Sequence, residues 1–234
     1  MNSVLKSEQV NKELFKLYKG QWPNIEKILK SNPQLSHPQL IYVPEKYTET
    51  EFRLMIVGQQ PYEWHFNKDK GIREDLDLNP IEKIEKLLWW YKNFSLGERY
   101  SRSPFWQAAH ELNELLNPNF PRYSFLWSNL IKTDKRNWPP DPDIEKELRR
   151  LRLLQEEIRI TQPNVVVFFT GPDYDDRIRQ DFEGVESDWN QDLARLQHKS
   201  LPKNSFRTYH PGHLRRKRKW AVINRIADLV KKPD

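Results

Sequence analysis

Four short apolar runs interrupt an otherwise polar chain: RLMIV at 53–57, YSFLWSNLI at 123–131, NVVVFF at 164–169 and FRTYH at 206–210. Each is rich in β-branched or aromatic residues, and each is short enough to be a strand covered on both faces. Longer helix-like segments precede them. In NPIEKIEKLLWWYKNF, residues Ile81, Ile84, Leu88 and Tyr91 recur at helical spacing, and Ile144, Leu148, Leu151 and Ile158 do so in IEKELRRLRLLQEEIRI, read as one helical segment. Asn79 followed by Pro80 marks a helix start, with the asparagine as N-cap. Strands alternating with helices predict an α/β fold in three layers, α/β/α, around a short, mostly parallel four-stranded sheet. Ligands of such sheets bind beyond the carboxyl ends of the strands.

Length and composition narrow the picture. A chain of 234 residues without internal repeats predicts a single domain, 1–234, with an N-terminal helical segment over about 1–50 and a core over about 52–230. It has no cysteine, so disulfides, Cys-ligated zinc and iron–sulfur clusters are excluded. The segment MNSVLKSEQVNKELF has neither a signal-peptide core nor ~18 consecutive apolar residues, and a soluble, cytoplasmic protein with no membrane partner is expected. Nine tryptophans and seventeen prolines suggest stiff surface loops carrying aromatic side chains, as in NWPPDPD and SPFWQ. Lys and Arg exceed Asp and Glu by 39 to 33, and the excess is clustered: RTYHPGHLRRKRKW, 207–220, holds six Lys or Arg and no acid. Such a field suits a polyanion, either nucleic acid or an anionic membrane surface, although a solvated helix start explains it as well on charge alone.

The chemistry is concentrated at the predicted strand ends. The first strand ends in GQQPY, the second carries Asn129, the third ends in FTGPDY and the fourth in YHPGHLRR. An amide in an apolar strand costs a few kcal/mol unless partners are supplied, so Asn129 requires either a buried protein partner or a ligand. His210 before Pro211 and Gly212 reads equally as a packed residue ahead of a type II turn or as a side chain aimed out of the sheet.

Taken together, GQQPY (58–62), WSN (127–129) and HPGHLRR (210–216) resemble, in order and strand context, the motifs of the uracil-DNA glycosylase superfamily. Its first motif has the form Gly-Gln-Asp-Pro-Tyr, its last the form His-Pro-Ser-Pro-Leu-Ser, and a base-reading Asn lies between. Four of five positions match in the first motif, and His210 and Pro211 match in the last. The resemblance covers roughly residues 52 to 230. It implies a monofunctional glycosylase that flips a uracil-like or modified pyrimidine out of DNA and hydrolyses its N-glycosidic bond, acting as a monomer on DNA without cofactor or metal. In that scheme Gly58, Gln59, Gln60 and Pro61 cradle the base and a water, Asn129 reads N3 and O4, and His210 donates to O2 as charge grows there. Tyr62 stands beside C5, Trp64 or Phe66 supplies a stacking ring, and Leu214 is the wedge that replaces the flipped base. His213, Arg215, Arg216 and Arg218 carry the DNA contacts.

The pattern departs from the family at Gln60, where the water-activating aspartate is expected. An amide accepts no proton at neutral pH, so general-base help of ~100-fold or more is lost. Glu63, Asp134 and His65 lie close enough in sequence to substitute, though solvated or capping roles suit them better. The last motif lacks the family's second proline and serine, which predicts a differently shaped, more basic loop suited to another substrate, including a hypermodified pyrimidine of phage DNA. Three other readings stand beside excision. A catalytically silent DNA-binding relative would share every feature except turnover. An unrelated nucleotide-binding enzyme would be expected to show a Gly-rich fingerprint or phosphate loop, and neither occurs. A metal nuclease would use the acids of PPDPDIEKE, which equally fit a helix N-terminus.

Overall fold

Three strands form on the predicted runs, the fourth begins and ends two residues earlier than FRTYH, at Asn204–Thr208, and one more joins the sheet. In the computed structural model, which describes residues 6–67, 69–73 and 77–232, the elements run α1 (Ser7–Ser31), α2 (Glu45–Glu49), β1 (Leu54–Gly58), β2 (Phe66–Asn67), β3 (Ile72–Arg73), α3 (Pro80–Phe94), α4 (Pro104–Leu116) and β4 (Leu126–Asn129). They continue with α5 (Pro142–Arg150), α6 (Leu153–Thr161), β5 (Val165–Phe168), α7 (Asp175–Asp181), β6 (Leu193–Arg195), β7 (Asn204–Thr208), α8 (Pro211–Arg216) and α9 (Val222–Lys231). The main sheet has five strands in the order β4-β1-β5-β7-β6, not four. All neighbours are parallel except β6, which pairs antiparallel with β7 at the edge. Three residues without a β-branched side chain give β6 too little pattern to be seen in advance. β2 and β3 form a separate small hairpin.

Every residue of β1, β4 and β5 is buried, so both faces of the sheet need cover. Two groups of helices supply it: α1 packs on α2, α3, α5 and α6, whereas α4 packs on α8 and α9. The N-terminal helix is thus part of the layered core. Its stripe of Val10, Leu14, Tyr18, Trp22, Ile25 and Leu29 is buried, and Tyr18 Oη donates to Glu157 on α6 at 3.0 Å. Glu157 also accepts from Ser128 on β4 and pairs with buried Lys132 just beyond it, fastening the end of β4 to that helical layer.

Two helical expectations change. In α3 the buried set is Ile84, Leu87, Trp90 and Tyr91, whereas Ile81 is exposed and Leu88 half-buried, because the apolar stripe is centred one residue away from the predicted line. Its start is as predicted: the Asn79 side chain accepts from Ile81 and Glu82 N–H, and Glu82 reciprocates in a capping box. The segment 144–160 is two helices rather than one. Arg152 adopts φ 52° between α5 and α6, a left-handed break that periodicity alone cannot reveal.

The strand order positions the site. From β1 the chain moves outward to β4 on one side and then to β5 on the other, so the crevice opens at the carboxyl ends around β1.

Candidate functional site

A cleft of about 790 Å³ lies at those ends, lined by Gly58, Gln60, Phe105, Asn129 and His210 among others. Gly58 closes β1 where backbone space is short: a Cβ there would lie 2.4 Å from Asn129 Oδ1 and 3.3 Å from the Phe105 ring. The glycine is required by close approach of its neighbours, not by its dihedral angles. After it, β4 leaves the ladder, but Leu130 and Ile131 N–H still donate to the Gly58 and Gln59 carbonyls at 3.0 Å each. Gln59 turns towards β5 and donates to Thr170 O at 2.7 Å.

Gln60 is a latch. Its Nε2 donates to Asn137 O at 2.9 Å, and its Oε1 accepts from the Tyr174 hydroxyl. The amide expected to orient water therefore joins the loops after β1, β4 and β5, with both polar atoms engaged. Asn129 is buried and its Nδ2 donates to Gln39 Oε1 at 2.8 Å, which settles half of its requirement within the protein. Its Oδ1, beside Gly58, borders the cleft.

His210 is the N-cap of α8, and its Nδ1 accepts the Gly212 N–H at 3.1 Å. A ring nitrogen that accepts carries no proton, so the neutral tautomer has its proton on Nε2. Burial, reinforced by the positive charge of Arg216, holds the imidazole below its ordinary 6.5, in keeping with a neutral ring. The site thus offers an N–H donor from a neutral histidine and a carbonyl acceptor from a buried asparagine.

The aromatic wall differs from expectation. Phe105, at the start of α4, stacks near His210 with centroids 5.9 Å apart and an interplanar angle of 27°. SPFWQ, expected to be an aromatic surface loop, instead opens α4 and turns Trp106 into the core, which leaves the Phe105 ring as the aromatic face beside His210. Trp64 is buried in a cluster with Phe94 and Trp127, and it and buried Pro61 both line the cleft. Phe66 contributes backbone to β2, and its side chain lies outside the described residues. Tyr62 is 76% exposed at the mouth, and does not close the inner wall.

The candidate substitutes for the missing acid separate clearly. Asp134 is fully buried; its Oδ2 accepts backbone N–H groups from Asn137 at 2.7 Å and Glu63 at 3.2 Å. Burial raises its pKa against the lowering effect of those bonds, and its role is to tie loops together. His65 stacks on Trp90 at 3.4 Å, and burial pushes it down to about 4. Glu63 lines the cleft, the carboxylate that does so among the described residues.

In the basic segment one assignment is overturned, and fewer cations face solvent than the sequence count suggests. Leu214 is fully buried between α8 and the core and cannot enter a duplex. Arg207 is buried too, paired with Asp175 at 2.7 Å and donating to the Trp189 and Gln191 carbonyls. Arg215 is exposed but engaged, donating to Gln107 on α4 and covering the Trp220 ring. His213 is half-buried and stacks on Tyr209 at 4.2 Å. Arg216, Lys217 and Arg218 remain exposed, six to eight residues beyond the cleft-lining His210. Two of the four acids of PPDPDIEKE are paired with cations: Asp141 with Lys135, and Glu145 with Arg149 and Arg177. No helix of the described residues is long and apolar enough to cross a membrane. Neither protein-family models nor curated proteins yield a match to this chain.

Proposed function

We propose that the protein is a DNA glycosylase that extrudes a uracil-like or modified pyrimidine into this cleft and cleaves its N-glycosidic bond. One observation carries the proposal: the Gly212 N–H fixes His210 as a neutral Nε2–H donor in the cleft that also holds Asn129 Oδ1 and the Phe105 ring. A flipped pyrimidine stacks on Phe105, its N3–H donates to Asn129 Oδ1, and its O2 receives the His210 Nε2–H. As the C1′–N1 bond breaks, its electron pair moves onto the base. The histidine bond strengthens as that charge appears on O2, which is the condition for lowering a barrier rather than merely binding. Water then adds to the oxocarbenium carbon. A water bonded to such a cation loses its proton readily, so the engaged Gln60 is no obstacle to turnover, although a strong base would speed it. The exposed arginines beyond His210 hold the flanking phosphates.

A silent DNA-binding relative is the second reading, favoured by the way protein partners already occupy Gln60 and the Asn129 nitrogen. Release of free base from oligonucleotides carrying uracil and a panel of modified pyrimidines, followed by mass spectrometry under single-turnover conditions, decides between them. Excision predicts release from at least one substrate and a ~100-fold to 1,000-fold loss in His210→Ala. No release from any substrate would refute excision and favour the binding module.

A further inference from the structure

With Leu214 inside the core, the apolar side chain that opens a base stack must come from elsewhere on the rim. Trp138 is 74% exposed, and single exposed aromatics are ordinary on protein surfaces. Its backbone is not ordinary. Lys135 and Trp138 exchange backbone hydrogen bonds at 2.8 and 3.1 Å across a two-residue turn, in which Arg136 and Asn137 both have positive φ, 51° and 70°. Two left-handed central residues make a type I′ turn, a conformation that costs on the order of 1 kcal/mol where the residue is not glycine.

The turn is fastened to the cleft on both sides of Asn137. Buried Asp134 accepts the Asn137 N–H, and Gln60 donates to the Asn137 carbonyl. Pro139 and Pro140 follow and stiffen the exit. The indole is therefore displayed to solvent from a backbone fixed by a buried carboxylate and by the cleft's own glutamine. Asn137 and His210 both line the cleft, so this turn and the N-cap of α8 both border it.

We propose that Trp138 is the stacking residue of this site, inserting its indole into the base stack beside the extruded nucleotide. The inference rests on the excision reading for its substrate. An indole suits the role because its flat apolar face covers a nucleobase while its ring N–H stays at the wet edge, and few rotatable bonds are immobilised on insertion. Exposed Arg136 beside it, with exposed Arg216 to Arg218 in the chain beyond His210, provides the positive field that holds the backbone while the stack opens.

The test uses the full-length protein and a duplex carrying 2-aminopurine next to a tetrahydrofuran abasic analogue, so that no turnover is needed. Binding of the native protein should change the 2-aminopurine fluorescence. Trp138→Phe should retain most of that change, whereas Trp138→Ala should abolish it and weaken binding about 10-fold. Base release by Trp138→Ala should fall more on duplex than on single-stranded substrate, because only the duplex has a stack to open. A purely structural role would lower both equally, and that outcome, or an unchanged 2-aminopurine signal in Trp138→Ala, overturns the proposal. Base release with a Trp138-independent signal would refute the stacking role alone; a Trp138-dependent signal without release would refute excision and leave the stacking contact standing.

Discussion

At Gly58, one methyl group tests whether the cleft has the geometry that base reading requires. Gly58→Ala places a carbon 2.4 Å from Asn129 Oδ1, so the amide must move, and the same carbon lies 3.3 Å from the Phe105 ring, which prevents it from backing away on that side. Overpacking of this kind destabilises by about 1–3 kcal/mol, which a domain of this size should tolerate. The expected outcome is a folded protein, by circular dichroism, that releases base at least ~10-fold more slowly than the native chain; an unchanged rate would remove Asn129 from base reading. His210 makes a second prediction, in pH. Its folded pKa is depressed, so the neutral ring and its Gly212 bond persist until pH falls below the ordinary imidazole range. Single-turnover release should stay level above pH 6.5 and decline only on the acid side, and the same protonation should withdraw stability as pH falls through the depressed pKa. A rate that rises on acidification would mean that the imidazolium is the active form. Gly58, Gln59, Gln60, Asn129 and His210 were legible in the sequence because each is a small or polar residue at the end of an apolar run. Phe105, Gln39 and Tyr174 were not, because they reach the site from distant segments through contacts that leave no local pattern. Leu214 was misassigned because motif order says nothing of direction: one helical turn after His210, its side chain faces the core.

Among the elements, the break between α5 and α6 is the clearest case of structure that periodicity conceals. Apolar residues continue at helical spacing through the break, while Arg152 at φ 52° ends one helix and begins the next. Arg152 is exposed, so its replacement tests the backbone alone. Arg152→Gly relieves a left-handed strain of ~1 kcal/mol, offset in part by the greater entropy of glycine in the unfolded chain. A midpoint unchanged or raised by up to about 3 °C in thermal unfolding is expected. A fall of several degrees would show that the arginine side chain holds the junction. β1, β4 and β5 were readable because burial on both faces leaves mostly apolar runs, whereas β7, NSFRT, buries Ser205, Arg207 and Thr208 and was placed two residues late. β6 was not, because a three-residue antiparallel edge strand depends on its partner β7 for existence. The loops after β1, β4 and β5 form a further unit through Gln60, and Gln60→Ala removes the donor to Asn137 O and the acceptor for Tyr174 at once. Leaving part-buried polar groups without partners costs about 1–3 kcal/mol, so this variant should melt several degrees lower. Its loss of activity should remain smaller than that of His210→Ala; the reverse order would assign Gln60 a direct role on water.

Over the whole molecule the net charge of +6 says less than its placement does. Of the basic residues between 207 and 220, Arg207 is consumed by Asp175 in the interior, Lys219 pairs with Asp192 at 2.6 Å, and Arg215 is held by Gln107 and Trp220. The field available to a phosphate backbone therefore comes chiefly from Arg216, Lys217 and Arg218, at and just past the C-terminal end of the helix whose N-cap lines the cleft. Each phosphate neutralised by such a side chain releases condensed counterions and contributes about 0.9 to the slope of log affinity against log salt on duplex DNA. Removing Arg216 and Arg218 together should reduce the slope by about 2, and weaken binding similarly for all sequences, because these contacts carry no base information. Arg207→Ala gives the contrasting result: it leaves Asp175 buried without its cation and should lower the melting temperature while folded protein keeps the native slope. The measurement is a salt titration of binding to one non-hydrolysable duplex by the native chain, the double variant and the Arg207 variant. A double variant with the native slope would move any DNA path away from Arg216 and Arg218, and would withdraw the phosphate contacts that the proposed excision requires beside His210.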